Sequence, residues 1–305
     1  MISLHKNQVK FNMRKFKQRA NIAEGTVQYI IIWDRGSIML IVGELINTSR
    51  KVINEAVEKK DAEYIKKIAR EQVEAGANYV DVNCGTQVFD EVETMKWLVN
   101  TVQEVVQTPL CLDSPNPKAI EAGLALAKYG QPMINSITGE KERFEHILPL
   151  VKKYKTKIVA LCMDDAGMPE TALDRMNVAR TLYANLTKAG IPEEDIYFDP
   201  LVKPVSVGNK SGLEVLETVS LISREYPNVH KICGLSNISY GLPNRKVLNR
   251  LFMVQTMSMG MDSYILNPLD TVMMGFVYAS KALLGKDPFC MDYLNAHRKG
   301  IYDKI

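Results

Sequence analysis

Met39-Leu40-Ile41-Val42-Gly43-Glu44-Leu45-Ile46-Asn47 is an apolar run that stops on acid and amide residues. The pattern returns seven times, in Asp81-Val82-Asn83, Leu112-Asp113-Ser114, Ile134-Asn135-Ser136, Met163-Asp164-Asp165, Phe198-Asp199-Pro200, Leu235-Ser236-Asn237 and Leu266-Asn267-Pro268. Each run is followed by a helix-like stretch. Asp and Asn are poor strand formers. Their repetition at one end of eight strands implies a polar rim over an apolar scaffold. A ring of amides and carboxylates suits a heterocycle rich in hydrogen-bonding atoms.

The spacing predicts strands over 39–47, 79–82, 110–113, 132–136, 157–163, 196–201, 231–236 and 263–266. Asp61 is placed to cap the first helix, whose apolar face is Ala62, Ile65, Ile68, Ala69 and Val73 and whose end is marked by Gly76. Further helices are expected over 89–107, 117–129, 140–154, 172–189, 212–225, 243–259 and 270–284, with a short mixed tail over 285–305. Strict alternation of strand and helix implies a parallel sheet. Eight units imply closure into a TIM (β/α)8 barrel, and no Gly-rich GxGxxG turn follows the first strand, as a dinucleotide-binding sheet would require. The chain of 305 residues fits one such barrel over 39–305 with an N-terminal extension over 1–38, expected to be a disordered arm or a start-site artefact.

Composition narrows the function. A net charge of +3 is too balanced to argue for nucleic acid, and no dense Lys/Arg block follows the first forty residues. No apolar run is long enough to predict a membrane span. Residues 1–38 lack the long apolar region and cleavage site of a signal peptide. Cys84, Cys111, Cys162, Cys233 and Cys290 form no CxxC pair, and three of them lie inside apolar runs. Reduced thiols in a cytoplasmic protein are therefore expected.

In barrels of this kind, chemistry sits at the C-terminal ends of the strands. Asp113, Asn135 and Asp199 end the third, fourth and sixth strands. Two acids and an amide match an aminopyrimidinone edge, although any one of them also suits a loop cap. Asn237 is a neutral amide able to face a nitrogen whose charge changes, or to form an Asx turn. Arg245 can reach a ligand or pair with an acid. Glu44, Asn47, Asp81 and Asn83 can form a supporting polar layer or cap loops. His5, His146, His230 and His297 all lie away from the strand ends, so neither zinc nor a Ser-His-Asp set is favoured, and no bound metal is expected. Lys203 is a mild Schiff-base candidate just past the sixth strand. Ser49-Arg50-Lys51 is a faint candidate for a pyrophosphate loop.

The ordered series Gly43-Glu44-Leu45-Ile46-Asn47, Asp81-Val82-Asn83, Leu110-Cys111-Leu112-Asp113-Ser114, Met133-Ile134-Asn135-Ser136, Tyr197-Phe198-Asp199-Pro200-Leu201 and Gly234-Leu235-Ser236-Asn237-Ile238-Ser239, with Asn244-Arg245 and Asn249-Arg250, resembles the pterin-binding methyltransferases. The methyltetrahydrofolate:corrinoid/iron–sulfur protein methyltransferases are the nearest in pattern, and the folate module of cobalamin-dependent methionine synthase is more distant. The resemblance spans Met39 to about Lys286. It implies a TIM barrel that transfers methyl groups between N5 of tetrahydrofolate and a corrinoid (cobalamin) carried by a partner protein, and a homodimer. It assigns the pterin ring to Asp113, Asn135 and Asp199, the N5 contact to Asn237, and ligand binding to Arg245. Tyr240 stands where the family carries Gln, so a ring or hydroxyl contact replaces an amide. Met163-Asp164-Asp165 replaces an Asn-containing version and hints at a different physiological branch. The alternatives are a condensing enzyme resembling dihydropteroate synthase and a non-catalytic pterin-binding subunit.

Overall fold

A computed structural model of the chain describes residues 39–305. The expected extension over 1–38 lies outside the described residues. Eight strands are present: β1 (Leu40–Asn47), β2 (Tyr79–Asn83), β3 (Leu110–Asp113), β4 (Met133–Thr138), β5 (Lys157–Leu161), β6 (Ile196–Asp199), β7 (His230–Lys231) and β8 (Ser263–Leu266). They form one parallel sheet in the order β7-β6-β5-β4-β3-β2-β1-β8. A parallel bridge between Gly234 and Ile265 joins the two ends, with Ile265 N–H donating to the Cys233 carbonyl at 2.9 Å. The result is the expected TIM barrel.

The helices are α1 (Lys51–Glu58), α2 (Ala62–Glu74), α3 (Glu91–Gln103), α4 (Pro117–Leu124), α5 (Lys141–Tyr154), α6 (Ala172–Lys188), α7 (Ser211–Glu225), α8 (Arg245–Ser258), α9 (Thr271–Leu283) and α10 (Met291–Arg298). Asp61 caps α2 as expected, accepting from Tyr64 N–H. Two helices were not anticipated. In α1, Ile53, Ala56 and Val57 bury one narrow face, a signal confined to two turns. In α10 only Ala296 is buried, so no apolar periodicity announces it. Strand β7 is shorter than the expected 231–236. Its pairing with β6 stops at Phe198 and Lys231, and residues Leu235–Ser239 then wind into a 3-10 turn.

Side chains alternate across the sheet, so residues two apart face the same way. Val42, Tyr79, Cys111, Met133, Val159, Tyr197 and Ile232 pack together as the barrel interior. Leu112, Ile134, Ile158 and Phe198 pack outward against the helices. Two residues on from interior positions come Asp81, Asp113, Asn135 and Asp199. The alternation therefore carries these polar groups over the apolar plug.

The β1–β2 register slips between Gly43 and Ile46, a bulge of the kind that re-aims side chains at barrel rims. Gln72 of α2 is fully buried, and its side-chain oxygen accepts from Leu45 N–H at 2.9 Å inside this bulge. Only Gly fits beneath it, because a Cβ on residue 43 would lie 2.5 Å from that oxygen. Gly43→Ala is therefore expected to destabilise the protein by about 1–3 kcal/mol, as overpacking does. Unchanged denaturant midpoints in the variant would show that Gln72 yields freely.

Candidate active site

One cleft of about 800 Å³ opens at the C-terminal ends of the strands. Glu44, Asn47, Asp81, Asp113, Asn135, Asp199 and Asn237 all line it. Each arrives from a different piece of local structure. Glu44 projects from the β1 bulge and accepts from Arg50 at 2.7 Å and from the Ser236 hydroxyl at 3.3 Å. Asp113 ends β3 and accepts from the Asn83 amide at 2.8 Å. Asn83, Asp113 and Asn135 are successive partners across the β2, β3 and β4 ladders. A second register slip, between Asn135 and Ile137, lets Asn135 and its neighbour Ser136 both face the cleft.

Asp199 ends β6 and accepts from Leu201 N–H at 2.8 Å, with the Gly234 N–H close by. Leu201 has φ +61°, a left-handed conformation that is strained for a branched side chain. Asn237 lies in the 3-10 turn after β7, and its carboxamide packs on Gly234: a Cβ there would lie 3.1 Å from the Asn237 nitrogen. Asp199 and Asn237 are thus neighbours through the backbone of one glycine.

The remaining expected site residues stand outside the cleft lining. Asn83 acts on Asp113 from behind. Arg245 donates to the Ser236 carbonyl at 2.6 Å and the Ser239 hydroxyl at 3.0 Å, bracing the turn that holds Asn237. Tyr240 is 68% exposed beyond that turn, with the Arg245 guanidinium 5.9 Å from its ring centre.

Two further arginines escaped the sequence reading. Arg143 of α5 donates to the carbonyls of Ser114, Pro115 and Ser136 at 2.8, 2.6 and 2.9 Å. It ties the β3 and β4 ends together. Arg175 of α6 is fully buried and donates to the Pro200 carbonyl at 2.8 Å and to that of Glu170 at 3.0 Å, fixing the chain beyond Asp199. Their targets are backbone carbonyls, which have no residue signature, so no motif could have announced them. Among the described residues, no group of three or more His, Cys, Asp or Glu side chains is arranged to hold a metal ion.

The electrostatics follow from burial. Asp81 is 2% exposed, one of its oxygens has no protein partner, and withdrawal from water with the nearby Asp113 charge raises its pKa well above the usual value. Burial pushes Asp113 up to about 6, against the opposing pull of the Asn83 amide and the Arg143 charge. Burial pushes Asp199 up to about 7, against the opposing pull of the Leu201 and Gly234 N–H groups. Glu44 is also raised by burial, with Arg50 and Ser236 opposing. The cleft therefore offers buried carboxyl groups with raised pKa, one of them, Asp81, with an oxygen that has no protein partner. A planar ligand bearing several N–H groups supplies what they lack.

Comparison with known proteins agrees with this chemistry. Residues 43–267 match the family described as pterin binding enzymes, and the chain belongs to that family. It is 39% identical over 264 residues to the methylcorrinoid:tetrahydrofolate methyltransferase of Eubacterium limosum, covering 86% of this chain and 97% of that protein. It is 30% identical over 242 residues to methionine synthase of Mycobacterium tuberculosis, which spans 75% of this chain and 20% of that protein. Among solved structures, dihydropteroate synthase from Clostridium difficile superposes with a TM-score of 0.65 at 14% identity, covering 83% of this chain and 99% of that one. The Yersinia pestis dihydropteroate synthase gives 0.60 at 15% identity, over 81% and 94%. At these identities the structures speak for the fold.

The raised carboxyl group has a stability signature. Asp199 titrates near 7 folded and near the ordinary 3.8 unfolded. Its contribution to stability is full below the unfolded value and is lost as pH rises through the folded one. Asp199→Asn removes this titration. The melting temperature of the ligand-free variant should gain on that of the wild type between pH 5 and pH 8, by on the order of 2–4 °C. Parallel pH profiles by calorimetry would contradict the assignment.

Proposed function

We propose that the chain is a methyltransferase that moves a methyl group between a corrinoid held by a partner protein and N5 of tetrahydrofolate, in the direction of folate. The observation that carries this is the convergence of Asp113, Asn135, Asp199 and Asn237 on one cleft. The relative from Eubacterium limosum, matched over nearly its whole length, supports it. That relative also favours methyl transfer over a condensing reaction or a non-catalytic subunit.

The pterin binds by donor–acceptor matching. Ionised Asp113 and Asp199 accept N–H bonds from the aminopyrimidinone edge, and Asn135 both donates and accepts. These bonds favour the ionised carboxylates, so binding strengthens as pH rises toward 7. Asn83 and Arg143 hold Asp113, and Arg175 holds the chain beyond Asp199, so little ordering remains for the ligand to impose.

The corrinoid cobalt carries the methyl group that is exchanged with N5. A tertiary amine leaves poorly unless it gains positive character, and in the opposite direction the amine becomes cationic as it accepts the methyl. Charge therefore changes at N5 in both directions. Asn237 places a neutral dipole there, held against Gly234, which lines the same cleft as Asp199. A dipole fixed beforehand follows the developing charge without reorganisation. Arg245 acts behind it by gripping the turn. The cleft of about 800 Å³ does not hold a folate and a corrinoid together, so transfer depends on a partner docking over the βα loops and aligning the two groups.

The same proposal includes a homodimer and a cytoplasmic location. Leu213 of α7 and Val247 and Leu251 of α8 are 51%, 56% and 56% exposed, and exposed apolar side chains of this kind favour self-association. Four buried free thiols suit a reducing compartment. No helix among the described residues is long and apolar enough to cross a membrane.

Asn237→Ala should slow single-turnover methyl transfer by roughly 10²-fold or more, the effect of losing one preorganised donor. A near-normal rate would remove Asn237 from the reaction. Asp199→Ala and Asn135→Ala should instead weaken tetrahydrofolate binding, and unchanged affinity by titration calorimetry would refute their role in holding the ring.

A further inference from the structure

The floor of the cleft is acidic, but its wall beyond β6 is built differently. Lys203 stands four residues past the end of β6 and lines the cleft with Met168, Val202, Pro204 and Val207. Its ammonium donates to the Pro169 carbonyl at 2.9 Å, leaving further N–H donors of the three it carries. Among the described residues no carboxylate lies within ion-pair reach of Lys203. The other cation of the lining, Arg50, is already compensated by Glu44 at 2.7 Å. Lys203 is therefore the cleft's uncompensated positive charge, set against an apolar wall on which Met168 and Val207 are 61% and 76% exposed.

Resting on the folate assignment, we propose that Lys203 is a specificity-determining residue that binds the glutamyl carboxylates of the substrate. The cleft of about 800 Å³ is larger than one bicyclic ring fills. A folate has a neutral ring rich in N–H groups at one end and carboxylates at the other, joined by an aminobenzoyl group. The acidic floor attracts the first end and repels the second. The apolar wall receives the benzoyl ring, and Lys203 receives the tail. Opposite charge at the two ends of the site thus fixes the direction in which the ligand enters, and so turns N5 toward Asn237.

The test is titration calorimetry of the wild type, Lys203→Met and Lys203→Arg with two ligands. Tetrahydrofolate carries ring and tail; 6-methyltetrahydropterin carries the ring alone. Lys203→Met should lose about tenfold in affinity for tetrahydrofolate, the scale of one charge-assisted bond. It should bind 6-methyltetrahydropterin as the wild type does. Lys203→Arg should retain most of the tetrahydrofolate affinity. Equal losses for both ligands in Lys203→Met would mean that the residue only supports the loop, and overturn the proposal. Unchanged tetrahydrofolate affinity would overturn it as well. Failure of the wild type to bind either ligand would instead remove the folate assignment, and this proposal with it.

Discussion

Carboxyl groups withdrawn from water at the mouth of an apolar barrel set the terms for the rest of this protein. Glu44, Asp81, Asp113 and Asp199 are all raised in pKa, and in each case burial is the largest cause. Burying a charge is unfavourable unless it is paired or hydrogen-bonded. The protein supplies part of that compensation, through Asn83 for Asp113, Arg50 for Glu44 and the Leu201 N–H for Asp199. It leaves Asp81 with an oxygen that has no partner. The shortfall is a binding potential for a ligand with N–H groups on a flat edge. Low stability in the empty site and affinity in the filled one have the same origin.

Rigidity comes from a different set of residues. Arg143 grips backbone carbonyls beyond β3 and within β4, Arg175 one beyond β6, and Arg245 one beyond β7. Loops carry function best when a fixed scaffold holds them. Here a planar guanidinium with several donors spans two or three carbonyl or hydroxyl oxygens at once, which a lysine cannot do with the same geometry. Gly43 and Gly234 perform the complementary task, admitting the Gln72 and Asn237 side chains against the main chain. Asp113 and the turn that carries Asn237 are thus braced from outside the cleft lining, by Asn83, Arg143 and Arg245.

Much of the site was legible because strand ends are legible. Asp113, Asn135 and Asp199 close apolar runs, and period-two alternation turns them toward the interior, above Cys111, Met133 and Tyr197. Arg245 stood out for its place after Asn237 but braces the turn, and Tyr240 lies outside the cleft lining. Position along a motif does not determine which way a loop side chain leaves the backbone. The same limit hid β7: its apolar run reads as a longer strand, yet the pairing with β6 stops at Phe198 and Lys231 and the chain winds into the Leu235–Ser239 turn.

The sequence by itself determined the barrel, because eight apolar runs alternating with amphipathic helices admit little else, and it determined the polar character of the mouth. Tertiary structure decided which polar residues share the cleft, how far their acidity is shifted, and that Lys203 is left uncompensated while Arg50 is paired. The division has a physical reason. Periodicity is a property of neighbours along the chain, whereas desolvation and charge pairing depend on groups that only folding brings together, as when Ser236 meets Glu44 from 192 residues away.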